Sequence, residues 1–128
     1  MILVDTSVWV QHLRVGDTTI AELLDSGRVL VHPFVVGELA LGNLRQRQSI
    51  LTFLSDLPCA DVATDEEVLH FIERYGLAGL GIGYVDVHLL AATQLTPGSS
   101  LWTRDKRLSA VAEHLGLASK PPPEPPGP

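Results

Sequence analysis

A chain of 128 residues, 45% of them apolar and 19% charged, is the size of one domain and buries a single core without staples. One cysteine, Cys59, excludes an internal disulfide framework and a cysteine-based zinc site, and the five histidines fall into no HxxxH or HExxH spacing. A formal net charge of −6 argues against polyanion binding through overall charge, leaving a local basic patch or a metal-mediated contact with phosphate.

Apolar runs alternate with helical periods along the chain, the pattern of an α/β domain with a mostly parallel sheet. Ile2-Leu3-Val4 is short, uncharged and β-prone, as a strand buried on both faces requires. Thr6 or Ser7 is expected to cap a short helix through Leu13. Ile20, Leu23 and Leu24 stripe a helix from Thr18 to Asp25 that stops at Ser26-Gly27. Val29-Leu30-Val31 is a second buried strand. Pro33 suits the first turn of a helix to about Leu41, ended by Gly42-Asn43. Ile50, Phe53, Leu54 and Leu57 stripe a helix from Gln46 to Leu57, and a short strand is predicted at Asp61-Val62-Ala63. Thr64-x-x-Glu67 is a capping box ahead of Val68, Leu69 and Ile72. A glycine-rich connection from Leu77 to Gly83 leads to a strongly apolar helix, Tyr84 to Leu95, predicted to lie centrally, with Pro97-Gly98 behind it. Leu101-Trp102 is a third strand, and Arg104 to Leu115 the last helix, ended by Gly116. Residues 1–119 read as one domain and residues 120–128 as a proline-rich, disordered tail. The four residues Met1 to Val4 are too few for a signal peptide, and no run approaches the ~20 apolar residues of a membrane span. A soluble, cytoplasmic protein is expected.

Most of the fifteen acids lie on polar helix faces or at caps. Four do not fit a solvated surface. Asp5 directly follows the first strand. Glu38 lies within the apolar run Phe34 to Leu41 and shares a face with Phe34 and Leu41. Asp86 opens the most apolar helix, with Leu89 and Leu90 at i+3 and i+4. Asp105 follows the strand Leu101-Trp102. In an open parallel sheet, ligands bind beyond the carboxyl ends of the strands. Asp5 and Asp105 lie at such ends, and a helix-start Asp86 and an inward-pointing Glu38 can meet them at one edge. Carboxylates gathered without a cation repel, and burying them is costly. Oxygen-only donors suit Mg²⁺ or Mn²⁺. Such a site activates a water or clamps a phosphodiester.

Each acid also has a purely structural reading. Asp5 is a favoured N-cap type, Asp86 and Asp105 complement helix dipoles in their first turns, and Glu38 can pair with a buried arginine. One shared site accounts for all four together. Ser7 and Thr103, each two residues from a key aspartate, are placed to orient a carboxylate or a water, or to cap local backbone. His88 falls opposite the Asp86 face and reads as a surface or core histidine. Gly79-x-Gly81-x-Gly83 lacks the spacing of a dinucleotide loop and follows no clear strand, so it reads as a flexible entry to the Asp86 helix. Arg45, Arg47, Arg104, Lys106 and Arg107 are candidate contacts to a nucleic-acid backbone or parts of solvated helix faces.

Four segments, in order, resemble the motifs of PIN domains: Met1-Ile2-Leu3-Val4-Asp5-Thr6-Ser7-Val8-Trp9, Pro33-Phe34-Val35-Val36-Gly37-Glu38-Leu39, Gly83-Tyr84-Val85-Asp86-Val87-His88-Leu89-Leu90-Ala91 and Leu101-Trp102-Thr103-Arg104-Asp105-Lys106-Arg107-Leu108. The resemblance runs from Met1 to about Leu117, and the chain's size is similar to that of the VapC-type toxins of bacterial toxin–antitoxin pairs. It implies a three-layer α/β PIN-like fold, with a short, mostly parallel sheet flanked by helices. It also implies a Mg²⁺- or Mn²⁺-dependent endoribonuclease, usually a homodimer, inhibited by a cognate VapB-like antitoxin. Matched by motif, Asp5, Asp86 and Asp105 would hold the metal, and Glu38 would be a ligand or orient the water. Thr103 matches a hydroxyl position two residues before the last aspartate. The expected reaction is hydrolysis of RNA phosphodiesters by in-line attack of a metal-activated water. Two other readings stand beside it. An aspartyl-phosphate receiver or phosphatase needs a DxD or an acidic pair with a late lysine, where Asp5-Thr6-Ser7 offers one acid. A non-catalytic RNA-binding or assembly module of the same fold gains nothing from mutually repelling acids.

Overall fold

The computed structural model describes residues 1–119; the tail expected over residues 120–128 lies outside the described residues. Three short strands, β1 (Ile2–Val4), β2 (Val29–Leu30) and β3 (Ser100–Trp102), form a parallel sheet in the order β2-β1-β3. Leu3 stands level with Leu30 on one side and Leu101 on the other. The helices are α1 (Thr6–Val15), α2 (Thr18–Asp25), α3 (Pro33–Leu41), α4 (Arg47–Ser55), α5 (Asp65–Tyr75), α6 (Tyr84–Leu95) and α7 (Lys106–His114).

Ile2, Leu3 and Val4 are 5%, 0% and 0% exposed. Neighbouring strand residues point to opposite faces, so three buried in succession mean that both faces of the central strand are covered. The α/β layering implied by the sequence is therefore present. By the same logic α6 is central: Val87 through Thr93 are all buried, as in a helix that is apolar on every side. Leu3, Trp9, Leu89, Leu90, Leu101 and Leu108 anchor the core where β1, β3 and α6 meet.

The chain leaves β1 to one side to form β2, then crosses back past β1 to form β3. This reversal makes the β1/β3 boundary a switch point, the place where open α/β sheets generally bind ligands. Asp5 and Thr103 are the first residues beyond β1 and β3, and both stand at that boundary.

Most elements fall where the sequence pattern placed them, and the departures have local causes. Helix α1 continues past Leu13 to Val15 and stops where Gly16 turns out, its N–H returning to the His12 carbonyl. Neither Thr6 nor Ser7 caps it; Asp5 occupies the N-cap position. Helix α4 begins at Arg47, one residue later than expected, because Gln46 takes a left-handed conformation (φ 53), and it ends at Ser55. Helix α7 begins at Lys106 because Asp105 is its N-cap. The capping box of Thr64 and Glu67 forms as expected. The strand predicted at Asp61-Val62-Ala63 does not form. Pairing occurs two residues earlier, where Cys59 bridges Val31 in parallel, Val31 N–H donating to the Pro58 carbonyl and Ala60 N–H to the Val31 carbonyl. The Asp61 N–H then donates to Thr96 Oγ1, which draws the backbone away from the sheet and leaves Val62 exposed.

Candidate active site

Asp5 is fixed by the sheet itself. Its N–H donates to the Trp102 carbonyl at 2.9 Å, extending the β1–β3 ladder by one residue. Its side chain makes no cap to α1, so a capping role does not explain it. Instead Oδ2 accepts from Ser7 Oγ at 2.8 Å and from Thr103 Oγ1 at 2.7 Å. Both hydroxyls are themselves held by backbone: Ser7 Oγ accepts from Arg104 N–H at 2.9 Å and Thr103 Oγ1 from Asp105 N–H at 3.0 Å. A buried carboxylate, 6% exposed, is thus tied to the first turns of both α1 and the β3–α7 connection.

The other three acids come from three different helices. Asp105 caps α7, its Oδ1 accepting from Leu108 N–H at 3.0 Å. Asp86, in the first turn of α6, accepts the Gly83 N–H on Oδ2 at 3.0 Å. This is half a capping box, since Gly83 has no side chain to return the bond. Glu38 corrects an expectation. It does not point inward: the buried residues of α3 are Val35 and Leu39, while Phe34 and Leu41, the supposed apolar neighbours, are 36% and 91% exposed. Glu38 is exposed, pairs with no buried arginine, and accepts from Thr6 Oγ1 at 2.8 Å, where α3 packs against α1.

Asp86 senses all three of the others. Burial pushes its carboxyl above the ordinary carboxylate range, the Gly83 N–H opposes this, and the charges of Asp5, Asp105 and Glu38 add to the rise. None of the four acids has an ion-pair partner among the described residues, whose two pairs are Arg104–Asp17 and His88–Asp65. Each carboxylate engages one oxygen with hydroxyl or backbone donors and leaves the other without a hydrogen-bond partner among those residues. No three His, Cys, Asp or Glu side chains of the described residues close around a common ligand point. The two findings are compatible, because charge acts over a longer range than a ligand bond. The acids ring an open edge rather than a closed cage.

Several residues took roles that the sequence did not signal. Asp65, on a face that reads as solvated, accepts from the Tyr84 hydroxyl at 2.9 Å and meets His88 Nε2 at 3.3 Å. His88, expected as a surface or core histidine, is a core residue, 1% exposed, packed edge-on against Phe34 and Tyr84. His32 caps α3 by accepting Phe34 N–H on Nδ1 at 3.0 Å, a residue type outside the usual Ser, Thr, Asp and Asn caps. Burial, and then the neighbouring His88, lower its pKa to about 4. Of the candidate basic residues, Arg104 pairs with Asp17 at 3.3 Å and Arg47 donates to the Gly42 carbonyl at 3.4 Å.

A short parallel sheet with acids from four elements near the carboxyl ends of β1 and β3 defines an α/β domain with an acidic edge. Residues 2–114 match the family model of the PIN domain. Ribonuclease VapC32 of Mycobacterium tuberculosis, from strain CDC 1551 / Oshkosh and from strain ATCC 25618 / H37Rv, is 48% identical over 118 residues, covering 92% of this chain and 95% of the relative. The chain belongs to the PIN-domain family, in its VapC-type branch.

Proposed function

We propose that the chain is a divalent-metal-dependent endoribonuclease, the toxin of a toxin–antitoxin pair, acting in the cytoplasm as a homodimer. The observation that carries this reading is that Asp5, Asp105 and Glu38 stand near enough to Asp86 for their charges to add to the rise that burial causes in its carboxyl, while none of the four acids has an ion-pair partner among the described residues. The name of the M. tuberculosis relative, a ribonuclease, supports RNA as the substrate class.

The residues fit a hard divalent ion. All donors are oxygens, and each acid keeps one oxygen free of hydrogen bonds among the described residues. An open edge suits Mg²⁺ or Mn²⁺, since Mg²⁺ retains several waters and takes only a few carboxylates. Asp5, Asp86 and Asp105 would hold the ion, with Glu38 as a further ligand or the group that orients a water. Bound there, the ion supplies charge neutralisation at the phosphodiester and lowers the pKa of a water. The chain's own contribution is orientation. Ser7 and Thr103 hold Asp5, the Gly83 N–H holds Asp86, the Leu108 N–H holds Asp105, and the Thr6 hydroxyl holds Glu38. Each carboxylate is thereby set before a ligand arrives, which lowers the entropy lost on binding and reaction.

A groove beside Glu38, lined by Val10, Leu13, Leu39, Leu44 and Ile50 with Arg14 at its edge, suits the apolar face of a VapB-like antitoxin segment. A cation on that segment would face the acidic edge. The deciding test of the nuclease reading is cleavage of single-stranded RNA. Activity is expected to vanish in EDTA and return with Mg²⁺ or Mn²⁺. Cleavage that persists in excess chelator would overturn the metal-dependent mechanism, and RNA binding without cleavage in either metal would favour the non-catalytic module.

A further inference from the structure

Arg107 is the second residue of α7, two positions after Asp105. Its side chain lies along the backbone of Gly81 in the loop that enters α6. A Cβ added to Gly81 would stand 2.8 Å from Arg107 Nη1, 3.2 Å from Cδ and 3.3 Å from Cζ. Gly81 also has φ +79, in the left-handed region that side chains rarely adopt. The positive φ favours glycine there, and the absence of a side chain lets the arginine lie directly on the loop backbone. Two residues further on, Gly83 holds Asp86. Arg107 thus joins the segment that presents Asp105 to the segment that presents Asp86.

The charge of Arg107 is not used to balance these acids. It makes no ion pair among the described residues, whereas Arg104, on the same connection, is taken by Asp17. Arg107 is exposed. Its guanidinium lies against Gly81 with no ion-pair partner among the described residues, on the connection that carries Asp105, in a protein of net charge −6 that must accept a polyanion. A guanidinium matches phosphate oxygens in a two-pronged geometry that a lysine ammonium does not.

We propose that Arg107, seated on Gly81, is a substrate-binding residue that grips a backbone phosphate of the RNA strand next to the bond being cut. The assignment rests on the nuclease reading and adds a specific contact to it. The test measures binding of a short labelled single-stranded RNA by fluorescence anisotropy, over a series of salt concentrations. Ca²⁺, which shares the preference for oxygen ligands, replaces Mg²⁺ to slow turnover. Cleavage of the same RNA in Mg²⁺ is followed in parallel. Arg107→Gln is expected to weaken binding about tenfold, as loss of a charged hydrogen bond does. It should also make the salt dependence shallower by about 0.7 in log K against log salt, the value for one phosphate contact on a single strand. In cleavage, KM should rise more than kcat falls. Arg107→Lys should restore the slope but only part of the affinity. Wild-type protein that binds and cleaves, beside an Arg107→Gln variant with unchanged affinity and slope, would overturn this assignment alone. Wild-type protein that neither binds nor cleaves would overturn the nuclease reading and this assignment with it.

Discussion

At the scale of single residues, Asp86 carries the conflict of the site. Its folded-state carboxyl titrates above the ordinary value, so the folded chain keeps that proton to higher pH than the unfolded chain does. The stability linked to this group is present in acid and lost as pH rises through the folded value. At neutral pH its ionised form is a strain on the metal-free fold. Asp86→Asn is therefore expected to melt at or above wild type in EDTA, and to lose most of the upward shift that Mg²⁺ gives wild type by binding the folded state. Thermal melts with and without Mg²⁺ decide it; a variant that melts lower in EDTA yet responds to Mg²⁺ like wild type would remove Asp86 from any shared metal site. His32 has the opposite linkage. With its pKa lowered from 6.5 to about 4, the folded state refuses a proton that the unfolded state accepts. Stability should fall as pH drops from about 6.5 to about 4, by on the order of 3 kcal/mol over the full window. Urea titrations across that range should show a clearly flatter dependence for His32→Asn, which keeps a capping acceptor. An unchanged slope would assign the acid sensitivity elsewhere.

At the scale of elements, three of the four acids stand at ends, and Glu38 stands within α3. A strand end presents Asp5, and helix starts present Asp86 and Asp105. Asp105 shows that a structural role and a place at the acidic edge are not alternatives, since capping α7 engages only Oδ1. The two roles separate by substitution. Asn caps about as well as Asp, so Asp105→Asn should change stability by only a few tenths of a kcal/mol, whereas Asp105→Ala should lose about 1 kcal/mol. Both should lose RNA cleavage. Cleavage retained by the Asn variant, measured beside its melting temperature, would reduce Asp105 to a cap.

At the scale of the whole molecule, the order β2-β1-β3 decides where a ligand can sit. The chain reverses at β1, so the acids that follow β1 and β3 share one side of the sheet, and a separate groove between α1, α3 and α4 has Glu38 in its lining. An inhibitor lying in this groove would meet Glu38 directly. Co-expression with the small protein encoded beside this chain is expected to give a stable complex, block RNA cleavage and relieve growth inhibition. A neighbour that neither binds nor protects would remove the toxin assignment while leaving the nuclease reading intact.

The sequence by itself determined the local elements and pointed to the acids. Three consecutive β-prone apolar residues specify a doubly covered strand, a helical stripe specifies α2, and an unbroken apolar period specifies the central α6, because these patterns arise from neighbours a few residues apart. The four motifs, in order, also carried the family. What the tertiary structure decided was contact over distance. Thr103 reaches Asp5 across 98 positions and Thr6 reaches Glu38 across 32, separations at which no period operates. Helical phase alone points Glu38 inward with Phe34 and Leu41, but those two are exposed once α3 is packed through Val35 and Leu39, and Glu38 turns outward with them. The extra sheet pairing fell at Cys59 rather than at Asp61-Val62-Ala63 because Thr96, on a distant element, takes the Asp61 N–H. The seat of Arg107 on Gly81 was invisible for the same reason. A glycine's freedom is a property of its own backbone, but which side chain fills the space above it is settled only when the helices are in place.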